Sequence, residues 1–263
     1  MRRRTTAVLL IIAGLIPATF ATTGAGAATV ASRHGRLIPA THGVLPKKNA
    51  DTSSLNWSGY ATVPDKGVTG VASTFTVPSV NALPPGFSAN WAGIGGYDTS
   101  DLIQAGTSQD AVEGNYAWYE ILPASETPIS GCTGDANCTV NAGDNVTVNI
   151  HLVGTNLWSV SLTDAGHWSW QQNVPYTSTE SSAEWIFEAP TVGVQTIPAN
   201  TGVNHFGPTS TFTDGTGTHT IAQGNPVSIS MGAGIVNEAT PSALAADGQS
   251  FNVCAYAQTC AAP

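Results

Sequence analysis

Val146-Thr147-Val148-Asn149-Ile150-His151-Leu152 alternates apolar and polar side chains without a break. Successive side chains of a β-strand point to opposite faces, so Val146, Val148, Ile150 and Leu152 share one face and Thr147, Asn149 and His151 the other. This period predicts a half-buried antiparallel strand, and it puts His151 on the solvated side, away from any role as a catalytic base. Runs of the same kind recur between Gly, Pro, Asn and Asp punctuation at Val71–Val77, Asn115–Leu122, Trp158–Leu162, Ala183–Phe187 and Val227–Met231, while few stretches carry a helical period. The chain therefore reads as all-β, a sandwich or barrel. Thr177–Gly217, rich in Thr, Ser, Gly and Pro, reads as strands set among long loops, and neither an internal repeat nor a second domain is visible.

Ser181-Ser182-Ala183-Glu184-Trp185-Ile186-Phe187-Glu188 places two carboxylates in a run of bulky apolar residues. Glu184, Ile186 and Glu188 share one strand face, Trp185 and Phe187 the other. Acids seldom sit in such runs without a task; the competing reading is an edge strand with a solvated acidic face. Gln104, inside Leu102-Ile103-Gln104-Ala105-Gly106, must aim its amide hydrogen bonds at a partner, and on its own a satisfied structural amide is the commoner outcome. In Tyr116-Ala117-Trp118-Tyr119-Glu120-Ile121-Leu122-Pro123, Trp118 and Glu120 share a face, where Trp118 could be core alone and Glu120 only a hydrogen-bonded support.

Charge divides the chain. Arg2-Arg3-Arg4, the apolar run Ala7–Ile16 and the small-residue site Ala25-Gly26-Ala27 have the layout of a secretory signal peptide over residues 1–27, with cleavage expected after Ala27. The apolar run falls short of the ~20 residues a bilayer span requires, so the expected product is secreted, extracellular and soluble. Residues 28 to about 50 carry Arg33, His34, Arg36, His42, Lys47 and Lys48 and no acid, which reads as a basic propeptide. From Asp51 to Pro263, Lys66 alone faces all 17 Asp and Glu, a formal charge of −16. Such a domain repels itself at neutral pH and loses most of that charge around and below the carboxylate range of roughly 4. The composition fits a protein that works in acid, the alternative being a merely soluble acidic one, and it speaks against nucleic acid as a partner.

Export permits disulfides. Of the three pairings open to four cysteines, the short loops favour Cys132 with Cys138 and Cys254 with Cys260. No Cys-x-x-Cys or His cluster with metal spacing occurs, so no metal or other cofactor is expected.

Together with Leu55-Asn56-Trp57-Ser58-Gly59-Tyr60, Ser73-Thr74-Phe75-Thr76-Val77-Pro78 and Trp91-Ala92-Gly93-Ile94-Gly95-Gly96, these blocks occur in an order that resembles the glutamic peptidases, or eqolisins, from about Asn56 to Val236. The resemblance implies a single-domain, concanavalin-like sandwich of two packed antiparallel sheets over residues 51–263. It implies a pepstatin-insensitive acid endopeptidase with Gln104 and Glu184 as catalytic residues. The family's supporting Trp and Glu fall on Trp118 and Glu120 and its cleft Trp on Trp91; Glu188, on the Glu184 face, is expected to support or bind substrate. The implied partners are protein or peptide substrates and the chain's own propeptide, on a monomer. The chain departs from the family where an Asp commonly follows Trp-x-Gly-Ile, here Gly95, and where an Asp often follows the Gln-x-Gly block, here Ser108.

Other hydrolase classes fit less well. No Gly-x-Ser-x-Gly elbow or His-Glu-x-x-His motif is present, and each cysteine has an expected disulfide partner. Asp98-Thr99-Ser100 resembles one aspartic-peptidase loop where two are needed. A β-sandwich glycoside hydrolase could use Glu184 and Glu188, but four residues along a strand separate them by about 13 Å, against the roughly 5–5.5 Å of a retaining pair. A carbohydrate-binding sandwich with Trp57, Trp91 and Trp118 as platforms is the non-enzymatic alternative.

Overall fold

The computed structural model describes residues 34–41, 43–81, 86–233 and 236–263; the expected signal peptide, with Arg33 and His42 of the basic leader, lies outside the described residues. The strands are β1 (Ala50–Ser54), β2 (Trp57–Thr62), β3 (Val68–Thr76), β4 (Phe87–Gly95), β5 (Leu102–Asp110), β6 (Gly114–Ile121), β7 (Thr127–Pro128), β8 (Asn145–Gly154), β9 (Leu157–Asp164) and β10 (Trp168–Pro175). There follow β11 (Ala183–Glu188), the two-residue pair β12 (Thr191–Val192) and β13 (Val194–Gln195), β14 (Val203–Phe206), β15 (Thr211–Asp214), β16 (Gly217–Thr220), β17 (Val227–Ala233), β18 (Val236–Pro241) and β19 (Phe251–Ala255). Among the described residues the only helical element is a 3-10 turn, Ala222–Gly224, and no helix is long and apolar enough to cross a membrane.

Hydrogen-bonded neighbours define two layers. One runs β1-β17-β2-β11-β4-β5-β6-β7 and the other β10-β9-β8-β3, with β14 and β15 beside β3. Strands β17, β18, β19 and β14 link the layers along one side, so the hydrogen-bonded ladder is continuous through a 17-stranded sheet. Pairing is antiparallel throughout except at the outer edge, where β1 runs parallel to β17.

Alternation sets what lies between the layers. Val146, Val148 and Ile150 of β8 are buried while Asn149 and His151 are exposed, and His151 Nδ1 lies 3.0 Å from Asn149 Oδ1. From the opposite layer Trp185 and Phe187 of β11 enter the same apolar core, and the Trp185 indole N–H donates to the Ala72 carbonyl of β3 at 2.8 Å. Phe206 and Phe251 stack with centroids 4.7 Å apart where the linking strands close the side. Truncating a buried aromatic of this kind costs about 3–5 kcal/mol.

The edge-strand alternative for Ala183–Glu188 does not hold: β11 lies between β2 and β4, and all its residues are buried. Both disulfides join the near pair, Cys132–Cys138 and Cys254–Cys260, with Cα–Cα distances of 5.4 and 5.5 Å. The described residues of 34–49 form no strand beyond a bridge of Pro39 to Ser54, yet they are packed against the body of the protein. The Leu37 amide donates to Gly96 O at 3.1 Å, the Ile38 amide to Asn56 Oδ1 at 2.9 Å, and the Tyr97 hydroxyl to Pro46 O at 2.7 Å.

Candidate active site

On the face of β11 that looks away from the core, backbone register aligns side chains in rows across four strands. Glu184, Gly93, Gln104 and Glu120 form one row, Ile186, Trp91, Gly106 and Trp118 the next, and Glu188, Ala89, Ser108 and Tyr116 the third. Four sites separated by some 90 residues of sequence thus share one surface. Glu184 and Gln104 stand two strands apart, about 10 Å between Cα atoms, and the strand between them contributes Gly93, which has no side chain. The space is bounded closely: a Cβ at Gly93 would lie 3.0 Å from Ile103 O and from the Trp91 ring and 3.1 Å from Gln104 Cβ. At Gly106 a Cβ would collide with the Asn90 carbonyl, so only glycine passes beneath Trp91 there.

Glu184 and Gln104 are fully buried. Among the described residues neither carboxylate oxygen of Glu184 has a partner in good hydrogen-bonding geometry, the Ser182 hydroxyl being near but not aligned, and Gln104 Oε1 likewise has none. Gln104 Nε2 donates to Glu120 Oε2 at 3.0 Å. Burial, assisted by the negative charges of Asp101 and Asp98 and opposed by the Ser182 hydroxyl, holds the Glu184 carboxyl well above the ordinary range. Asp101 goes the other way: although burial raises it, the Thr179 amide and the hydroxyls of Thr99, Thr179 and Ser178 prevail and lower it.

Glu188, by contrast, is fully engaged. Its Oε2 accepts the Trp91 indole N–H at 2.8 Å and lies 3.2 Å from His34 Nδ1, and its Oε1 accepts the Gly35 amide at 3.0 Å. Trp91 in turn meets Trp57 edge to face, centroids 4.9 Å apart. Trp57, Trp91 and Trp118 are all buried, Trp118 beneath the His34 ring. Asp98 pairs with Lys47 at 2.8 Å. Gly95, at the first departure from the eqolisin pattern, has φ +87°, and a Cβ there would lie 2.6 Å from Asp101 O, so this backbone admits no aspartate; the Asp101 carboxylate comes within 3.2 Å of the same point.

Two site residues escaped the reading of the sequence. Glu126 follows β6 and reaches His34 Nε2 at 2.8 Å, and Gly93 vacates the gap between Glu184 and Gln104. A lone Glu in a polar loop gives no signal, but Gly93 was legible in principle, as a glycine inside a strand marks close approach. Among the described residues the one close trio of metal-type ligands is Asp144, Asp164 and His167, on the other layer, where His167 Nδ1 is paired with Asp164 Oδ2 at 2.8 Å.

Two packed β-layers with a buried Gln and Glu flanking a glycine gap define an eqolisin-type sandwich. The chain belongs to the peptidase A4 family, whose model matches residues 55–250. It is 28% identical over 185 residues to aspergillopepsin-2 of Aspergillus niger, an alignment that covers 57% of this chain and 62% of that protein. The fold is similar to that of scytalido-glutamic peptidase solved with a transition-state analogue inhibitor, with TM-score 0.62 and 16% identity over 76% of this chain and 98% of that one. It is also similar to SCP-B, an eqolisin solved with the tripeptide Ala-Ile-His, with TM-score 0.59 and 17% identity over 77% and 98% of the two chains.

Proposed function

We propose that this protein is a secreted, acid-acting endopeptidase that hydrolyses peptide bonds in proteins with Glu184 and Gln104 and no metal. The observation that carries this reading is the pairing of an unpartnered, buried Glu184 with Gln104 across Gly93. Peptide hydrolysis needs a base for water, a donor for the oxyanion and an acid for the departing amine. Once the leader has left and water enters the gap, relieving the burial that keeps Glu184 protonated, ionised Glu184 takes a proton from a water lying between it and Gln104 Oε1, and the water oxygen attacks the scissile carbonyl. Gln104 Nε2 spends one N–H on Glu120 and has the second for the oxyanion. The protonated Glu184 then gives its proton to the amide nitrogen as the C–N bond breaks, which returns the carboxylate and leaves an acid and an amine.

Acid fits this cycle for two reasons. The carboxyl must change protonation state during turnover, and the −16 body of the protein repels itself least when its carboxylates are neutral. Residues 28–50 act as an inhibitory propeptide in this reading, supported by the packing of its described part on the Gln104 and Glu184 face, where Leu37 joins the apolar cluster of Trp57, Trp91, Trp118 and Ile186. The secreted protein is to be assayed at pH 3–4 on denatured casein and on polysaccharides, with and without pepstatin. Pepstatin-insensitive digestion of casein alone is expected; polysaccharide hydrolysis or pepstatin inhibition would overturn the reading.

A further inference from the structure

Asp101 belongs to none of the three rows on the catalytic face, and the hydrolytic cycle makes no use of it. It lies three residues ahead of Gln104, immediately before β5, and its carboxylate binds the segment that leads into β11. Oδ2 accepts the Thr179 amide at 2.7 Å and the Ser178 hydroxyl at 3.0 Å, and the Thr179 hydroxyl donates to Oδ1 at 2.9 Å. Further ties join the same two segments. The Leu102 amide donates to the Tyr176 hydroxyl at 2.8 Å, the Gly95 amide donates to Ser182 O at 3.0 Å, and Thr99 Oγ1 lies 3.3 Å from Ser181 Oγ. Residues 176–182 form no strand of their own, so these bonds fix where β11 enters the sheet, two residues before Glu184. We propose that Asp101 is a positioning residue for the hydrolysis: its carboxylate clamps the entry of β11 to the start of β5 and sets, close to Glu184, the fixed negative charge that the eqolisin pattern places at residue 95. This assignment rests on the peptidase reading and adds a residue to its machinery.

At Gly95 the backbone takes φ +87°, which residues with a side chain rarely adopt. A Cβ there would lie 3.2 Å from Asp101 Oδ2. The acid absent from the end of β4 is thus answered by one from the start of β5, brought to the point where the missing side chain would have begun.

The clamp also decides the charge. Burial raises the Asp101 carboxyl, but the Thr179 amide and the hydroxyls of Thr99, Thr179 and Ser178 outweigh it and hold it below the ordinary range. Asp101 therefore stays ionised further into acid than an ordinary aspartate. Glu184, raised first by burial, is raised further by the charges of Asp101 and Asp98. The remaining titratable groups about Glu184 are Tyr97, and Glu120 across Gln104; β2 sets only Ala61 opposite it, and Asp98 is paired with Lys47. An anion at Asp101 favours the protonated Glu184 that the departing amine needs.

Substitutions separate the clamp from the charge. An Asn side chain at this position can present its oxygen to the Thr179 amide and the Ser178 hydroxyl and donate its NH2 to Thr179 Oγ1, so Asp101→Asn keeps the clamp and loses the charge. Ser178→Ala combined with Thr179→Val loosens the clamp while the Thr179 amide still holds the charge, and Asp101→Ala loses both. Each variant is expressed full-length, activated in acid beside the parent and assayed on a soluble peptide from pH 2 to pH 6, with melting curves to verify folding. Ionised Glu184 is the base, so the acid limb of kcat/KM reports its ionisation. Asp101→Asn should move that limb to lower pH with little change in Tm. Asp101→Ala should also lower kcat by about 10- to 10²-fold, the penalty of a misplaced reacting group, with a smaller change in KM. The loosened clamp should lower kcat without moving the limb. An acid limb that stays in place in folded Asp101→Asn, or parental kcat in folded Asp101→Ala, would overturn the assignment while the parent still digests casein. A parent that fails to digest casein would overturn the peptidase reading instead.

Discussion

Gln104 Nε2 donates to Glu120 Oε2 at 3.0 Å from directly opposite positions on β5 and β6. A carboxylate only accepts, so Glu120 decides which way the Gln104 amide is turned and leaves Oε1 free toward the gap at Gly93. Glu120→Gln retains an acceptor oxygen and should be mild. Glu120→Leu should lower kcat by about 10- to 10²-fold, the penalty of a misplaced reacting group, with a smaller change in KM. Equal kcat for the two variants would argue that Glu120 does not orient the amide.

Gly93 leaves open the space that Glu184 and Gln104 flank. Gly93→Val should lower activity more than Gly93→Ala, because even a Cβ meets atoms at 3.0 Å and further carbons must project into the gap or force the Trp91 ring aside. Overpacking of this kind costs about 1–3 kcal/mol, readable as a lower Tm. Full activity in a stably folded Gly93→Val variant would place the attacking water elsewhere.

The raised pKa of Glu184 makes a signed prediction for stability. In the unfolded chain this carboxyl ionises near 4.5, whereas in the folded protein it holds its proton to higher pH, so its burial penalty is absent below 4.5 and grows as pH rises from there toward the folded value. Glu184→Gln carries no charge to bury. Its Tm relative to the parent should therefore climb between pH 4 and pH 7. A Tm difference that is flat over this range would show that Glu184 is not held neutral.

Glu184 and Glu188 share a strand face, and partners separate them where sequence did not. Glu188 is bound by Trp91, Gly35 and His34, while Glu184 has no partner in good hydrogen-bonding geometry among the described residues. Glu188→Gln should act mainly through KM and substrate choice, and Glu184→Gln through kcat. The reverse pattern in steady-state kinetics would exchange their roles.

How much of this was legible follows from what each residue does locally. The alternation of Val146–Leu152 predicted both its strand and the exposure of His151, since a period of two reports faces directly. The same rule put Glu184 and Glu188 together but was silent on β11 lying between β2 and β4, because strand order is a property of distant pairings. Composition marked residues 28–50 as basic and apart from the body. It gave no sign that His34 would be buried against Trp118, a contact between residues 84 positions apart that only the folded face creates. The strand at Ala50 begins where the basic stretch ends.

The account stands most directly on the carboxyl of Glu184. Turnover of a denatured protein at pH 3–4 should be measured for Glu184→Gln, with folding verified by its melting curve and the parent prepared in parallel. Loss of the group that both takes and returns the proton predicts a fall in kcat of at least about 10²- to 10⁴-fold. A folded Glu184→Gln protein that digests its substrate at a near-parental rate would contradict the mechanism.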